Sequence, residues 1–169
     1  MGNNNTGANY FFYKNKLPVL KQLPIVIIDN IKTPENLGSI VRLAGNIGIK
    51  DIYVLNQKNN FRYSKVKATA SNAFNNVNIV FKDNNFIDDI NDYCFFIVET
   101  DKSAKNIFKT DFPLKSAFIF GNEAHGVSNF LLQKVKNKIF IPMHGDTKSM
   151  NVAQSVGIVL FEWLRQNFY

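Results

Sequence analysis

The sequence predicts an α/β domain, a mostly parallel sheet with helices on both faces. Three observations lead there. Six short runs, PIVIID (24–29), DIYVL (51–55), NVNIVF (76–81), CFFIVET (94–100), SAFIFG (116–121) and KIFIP (138–142), are apolar almost throughout. Strands buried on both faces read this way, whereas half-solvated antiparallel strands alternate. Segments with helical spacing lie between several of these runs, as parallel strands require. A chain of 169 residues, 46% hydrophobic with 16 Phe, suits one domain with a substantial core.

Residues 1–23 read as a polar arm with a short lead-in, and 24–169 as the domain. Within the arm, Tyr10-Phe11-Phe12-Tyr13 suits either base stacking or docking on the chain's own surface. PIVIID, rich in β-branched residues, is the first strand. Leu37, Ile40, Val41 and Ala44 then recur at helical spacing, predicting a helix over 36–47 that Asn36 is placed to cap. DIYVL is the second strand, and a helix is expected over 64–74. NVNIVF, CFFIVET and SAFIFG follow as strands, with polar segments at 86–91 and 104–109. Ser128 is placed to cap a helix running through Val135. KIFIP is the last strand, and 152–167 a final helix with an apolar stripe of Val152, Val156, Val159, Leu160 and Trp163. Such a stripe serves core or subunit interface more often than ligand contact.

Cys94 is the single cysteine, which rules out an internal disulfide and favours a reducing, cytoplasmic compartment. The start, MGNNNTGANYFFYKNK, lacks the apolar centre of an export signal, and no run is long enough to span a bilayer. Twenty basic against 13 acidic residues give a net charge of +7. No acid lies between Asp51 and Asp83, a span holding Lys58, Arg62, Lys65, Lys67 and Lys82. A second acid-free span, between Glu123 and Asp146, holds Lys134, Lys136 and Lys138. Clustered cations suit a polyanion through counterion release, and a solvated basic surface accounts for them equally well.

Three segments combine unusual chemistry with a place beyond an apolar strand, where α/β sheets bind ligands. The first is DNIKTPENLGSIVRLAGNIG (29–48). Its Gly38 permits close approach of backbone or ligand. Its Arg42 lies between Val41 and Leu43, and a desolvated arginine needs an anionic partner. A salt bridge to a carboxylate such as Asp29 is the structural expectation. The second is FIFGNEAHGVS (118–128), where Gly121 and Gly126 bracket Glu123 in a tight turn. The third is IPMHGDTKSMNVAQS (141–155), where Gly145, Ser149 and Asn151 precede the last helix. Capping alone explains one of its polar residues. His125, His144 and Cys94 lack zinc spacing, so no metal is expected. There is no nucleophile elbow, lysine-containing phosphate loop or dinucleotide fingerprint.

Taken together and in this order, Asn36-Leu-Gly38-Ser-Ile-Val-Arg42, Gly121-Asn-Glu123-Ala-His-Gly126 and Ile141-Pro-Met-His-Gly145-Asp-Thr-Lys-Ser149-Met-Asn151-Val resemble the SpoU-type (TrmH-like) RNA ribose 2′-O-methyltransferases of the SPOUT superfamily. The resemblance covers roughly Pro24 to Gln166. It implies the α/β-knot (trefoil) methyltransferase architecture, a homodimer, S-adenosylmethionine as methyl donor without a metal, and a ribose 2′-hydroxyl of RNA as acceptor. By resemblance, Thr100, Gly121, Ile141, Met143, Ser149 and Met150 would bind the donor. Arg42, Asn36, Glu123, Ser149 and Asn151 would be the catalytic set, with Glu123 bracing the loops and Asn36 and Arg42 facing RNA. Ser149 and Asn151 would orient the ribose. A guanidinium is a poor proton acceptor, so Arg42 is expected to favour the alkoxide electrostatically or to hold the adjoining phosphate. Gly145 is expected to let its loop close around the adenosyl group. Arg42, Arg62, Lys65, Lys67 and Lys148 would grip RNA. Met150 and Ala153 depart conservatively from the family's commoner leucine and serine. The compact form and the basic region at 62–70 favour tRNA over rRNA. Two competing readings are a non-catalytic RNA-binding or assembly factor with this fold, and an α/β enzyme using another nucleotide.

Overall fold

The computed structural model describes residues 19–56 and 62–169. The aromatic quartet at 10–13, most of the expected arm and Lys58 lie outside these. Seven strands, β1 (Ile25–Asp29), β2 (Asp51–Leu55), β3 (Asn78–Lys82), β4 (Cys94–Val98), β5 (Lys105–Asn106), β6 (Ser116–Phe120) and β7 (Lys138–Phe140), form one sheet. Its order is β3-β2-β1-β6-β4-β7-β5, and every adjacent pair is parallel. Among the described residues five α-helices accompany it: α1 (Pro34–Ile47), α2 (Tyr63–Ala70), α3 (Phe86–Asp89), α4 (Asn129–Lys134) and α5 (Val152–Phe168).

Strand side chains alternate between two cores. Val26, Ile28, Phe118 and Phe120 pack with residues of α1, α2 and α5, including Leu37, Val66 and Trp163. Ile27, Ala117, Ile119 and Ile97 pack on the opposite face with Phe86 and Ile87 of α3 and Leu131 of α4. Both faces of the sheet are therefore covered, which is why β6 is buried at every position.

Pro34 occupies the first turn of α1, where its missing N–H removes no helical bond. The helix ends at Gly48, whose φ of 95° lets its N–H return to the carbonyls of Ala44 and Gly45. The residue before the helix is Thr33, so Asn36 lies inside the first turn and does not cap it. Gly38 is buried against α2, where an added Cβ would sit 2.6 Å from the Val66 carbonyl oxygen. Its smallness therefore serves helix packing.

The helix expected over 64–74 breaks at Ser71 (φ 55°) and continues as a 3-10 turn, Ser71–Asn75. Ser128 does precede α4, but its hydroxyl is buried without a partner among the described residues. The Ser128 backbone is held instead by Asp29, whose Oδ2 accepts the Ser128 N–H at 2.7 Å. The two-residue β5 falls in a segment expected to be a polar connection. It qualifies by pairing alone, Lys105 with Ile139 and Asn106 with Phe140.

Asn151 caps α5, its Oδ1 accepting from the amides of Ala153 (2.9 Å) and Gln154 (3.4 Å). The stripe Val152, Val156, Val159, Leu160 and Trp163 is buried in the core. Trp163 is fully buried, and its Nε1–H donates to the Pro113 carbonyl at 3.1 Å. Trp163→Ala is predicted to lower stability by about 3–5 kcal/mol, since a large cavity is left and one hydrogen bond to the Pro113 carbonyl is lost. Urea unfolding reads this directly, and a loss under about 1 kcal/mol would contradict the packing described.

Candidate active site

Because β4 lies between β6 and β7, the carboxyl ends of three neighbouring strands open onto one space. A cavity of about 430 Å³ occupies it, floored by Val98, Phe120 and Phe140, the last residues of those strands. Its walls come from Glu99 and Thr100 after β4, the turn after β6, and the stretch between β7 and α5. The volume falls within the range of small-molecule sites, about 300–1,000 Å³.

The turn after β6 closes on itself. Asn122 and Gly126 exchange two backbone hydrogen bonds of 3.1 Å, and the Asn122 side chain accepts the amides of Ala124 and His125. Gly126 has φ 65°, and any Cβ there would overlap the Glu99 carboxylate. A Cβ on Gly121 would overlap the Gly126 carbonyl carbon. Backbone closeness thus requires glycine at 121, and the left-handed backbone beside the Glu99 carboxylate favours it at 126.

Glu123, at the tip of this turn, reaches across to the start of α1. Its Oε1 accepts from the Thr33 amide (3.2 Å) and from Asn36 Nδ2 (2.6 Å), and its Oε2 from the Lys32 amide (3.2 Å). A carboxylate only accepts, so the Asn36 amide must present its nitrogen to Glu123. Its Oδ1 is left for Asn151 Nδ2, which donates to it at 2.9 Å. One hydrogen-bonded chain therefore ties together the segments at 32–36, 121–126 and 149–152. Partial burial pushes the Glu123 carboxyl upward, but the hydrogen bonds it receives from amides and Asn36 outweigh this and hold it below its ordinary value.

Thr100, Gly121, Ile141, Met143, Ser149 and Met150 all line the cavity, as do Glu123 and Asn151. Asn36 stands one hydrogen bond behind them, and its committed amide makes it a brace between loops in place of the expected RNA-facing group. Arg42 departs from expectation. It is exposed, lines no part of the cavity, and has no hydrogen-bond or ion-pair partner among the described residues. Asp29 instead accepts from Asn56 and Ser128, so the expected salt bridge is absent. Gly145 is exposed outside the lining, and an added Cβ there would meet nothing within 4 Å. Its expected role in closing the loop has no basis in this geometry.

Of the expected RNA-gripping cations, Arg62 and Lys67 are exposed on α2 and its approach, while Lys65 pairs with Glu35 at 2.8 Å. Lys148 donates to the Gly145 carbonyl at 3.2 Å. Glu99 was not singled out by the sequence, although it directly precedes Thr100 at a strand's carboxyl end. Among the described residues no three His, Cys, Asp or Glu gather as metal ligands, and no helix is long and apolar enough to cross a membrane.

The lowered Glu123 pKa fixes a pH dependence. Its stabilising contribution is fully present above the unfolded glutamate pKa and is lost as pH falls through the lower folded value. The gap in unfolding temperature between the native chain and Glu123→Ala is therefore predicted to be widest near neutrality and to shrink on acidification. A gap independent of pH would contradict the hydrogen-bonded carboxylate.

Among curated proteins, the chain is 28% identical over 162 residues to a 23S rRNA (guanosine-2′-O-)-methyltransferase, RlmB, of Neisseria meningitidis, covering 94% of this chain and 65% of that one. It is 29% identical over 147 residues to a tRNA (guanosine(18)-2′-O)-methyltransferase of Aquifex aeolicus, covering 84% and 69%. The chain thus spans about two thirds of the length of these relatives. Among solved structures, an AdoMet-bound rRNA methyltransferase from Sinorhizobium meliloti shares the fold with a TM-score of 0.79 at 19% identity, over 90% of this chain and 60% of that one. The model of the SpoU rRNA Methylase family matches residues 24–161, which takes in all three segments that build the cavity. The chain belongs to that family of methyltransferases.

Proposed function

We propose that this chain methylates a ribose 2′-hydroxyl of RNA using S-adenosylmethionine, with tRNA favoured over rRNA. The observation that carries the reading is the cavity itself, where three segments far apart in sequence meet beyond the strand ends. Its residues suit the donor. Val98, Phe120, Phe140 and Ile141 offer apolar surface to a purine, and Glu123 offers negative charge to a ligand bearing sulfonium and ammonium groups. The donor supplies a methyl carbon already made electrophilic by sulfur. As the oxygen–carbon bond forms the carbon–sulfur bond breaks, and the hydroxyl proton leaves to solvent.

The chain's task is then alignment. The Asn151 side chain is engaged by Asn36 and by the amides of α5, so it holds the loop in place. The Ser149 hydroxyl makes no hydrogen bond among the described residues and lines the cavity. It is the group available to orient the acceptor ribose. Arg42 stabilises the developing alkoxide or the neighbouring phosphate. Its place outside its own cavity supports a homodimer in which it serves the partner's site. We include the trefoil threading of the family in this reading.

Titration calorimetry with S-adenosylmethionine, followed by labelled methyl transfer to bulk tRNA and rRNA, tests the activity. A chain that binds no donor, or that methylates neither RNA, would overturn it, and product from rRNA alone would reverse the order of substrates. Arg42→Ala is predicted to keep donor affinity while losing about 10²–10³-fold in turnover. Co-expressing Arg42→Ala with Asn151→Ala chains should restore activity that neither variant has alone, and no restoration would place Arg42 in its own chain's site. Arg62→Glu is predicted to weaken RNA binding and flatten its salt dependence without changing donor affinity. Unchanged RNA affinity would remove Arg62 from the RNA surface.

A further inference from the structure

Glu99 is the other carboxylate at the cavity, and no part of the reaction above uses it to touch a reacting atom. It follows directly on β4, and its oxygens divide their work. Oε1 accepts the Thr100 amide at 2.9 Å, and Oε2 accepts the Val127 amide at 3.2 Å, 28 residues away. Oε2 also lies where a Cβ on Gly126 would go. Thr100 and Gly126 both line the cavity. The turn at 121–127 is thus held on two sides, from outside by Glu123 on the start of α1 and from inside by Glu99.

We propose that Glu99 is a positioning residue, one whose carboxylate sets the width of the donor cavity by locking the 121–127 turn to the end of β4. This rests on the methyl-donor reading above. The geometry demands two acceptors on one side chain. A glutamine has one, so Glu99→Gln keeps the shape but points an N–H at either Thr100 or Val127, which also donates. Glycine at 126 belongs to the same device, because a Cβ there would collide with the carboxylate where it now lies.

The test is S-adenosylmethionine affinity by calorimetry on the native chain, Glu99→Gln and Glu99→Ala, with amide hydrogen exchange at Val127 and steady-state kinetics on RNA. Glu99→Gln is expected to weaken donor binding about tenfold, as loss of a charged hydrogen bond would. Exchange at Val127 should quicken, while turnover at saturating donor and the KM for RNA stay within about twofold. A change confined to global stability, with donor affinity and Val127 exchange unaltered, would overturn the proposal. A second measurement serves if Glu99→Gln folds poorly. Gly126→Ala should weaken the donor less in a Glu99→Ala background than in the native one, because the colliding carboxylate is gone, and equal effects would overturn the proposal. Donor binding by the native chain with no change in the variants would remove this inference alone. No binding by the native chain would remove the methyl-donor reading beneath it.

Discussion

The Glu123 carboxylate is the constraint on which the site's shape depends. Three donors converge on it from the start of α1, and because it can only accept, it fixes which way the Asn36 amide faces. That orientation selects Asn151 Nδ2 as the next partner, and leaves Asn151 Oδ1 to cap α5. The bonded pairs are 87 and 115 residues apart in sequence. Ordering loops costs about 1–2 kcal/mol per residue in backbone entropy. A chain of charge-assisted and amide hydrogen bonds offsets that loss at the positions where the cavity wall has to be rigid.

The sheet supplies the platform. An order of β6-β4-β7 brings three strand ends side by side, so the turn after β6, the Glu99-Thr100 step and the stretch before α5 have nowhere to lie but around one opening. The fully buried β6 and the two cores on either side keep those ends from shifting. Fold and site are thus linked through register: moving one strand by a residue would exchange its core faces and displace its terminal loop. Glycine at 121 and 126 adds the closeness that lets the turn stand upright against the end of β4.

Much of this was legible in the residues. Six strands were: central ones such as Val26 to Ile28 and Ala117 to Phe120 are buried on both faces and so have to be apolar continuously, while β3 carries an apolar run although it is largely exposed at the sheet edge. The donor-binding candidates were placed by resemblance, and they share one cavity. What failed was non-local. Strand β5 has two residues and exists only through its pairing with β7. Asn36 looked like a cap because local rules favour it there, yet the helix starts two residues earlier and the Asn36 side chain is taken by a carboxylate 87 positions away. Arg42 looked desolvated between Val41 and Leu43, but successive helical residues point about 100° apart, and position 42 faces outward while its neighbours face in. Glu99 resembled a polar strand end, and nothing along the sequence shows that the Val127 amide needs an acceptor there.

The central claim is that Glu123, Asn36 and Asn151 act as one unit that shapes a donor cavity. Glu123 and Asn151 hold each other only through Asn36, so a double-mutant cycle on S-adenosylmethionine affinity with Glu123→Ala and Asn151→Ala measures that link most directly. The predicted result is a coupling of about 0.5–3 kcal/mol that disappears when the cycle is repeated in an Asn36→Ala chain. Additive effects in the native background, or a coupling that survives without Asn36, would contradict it.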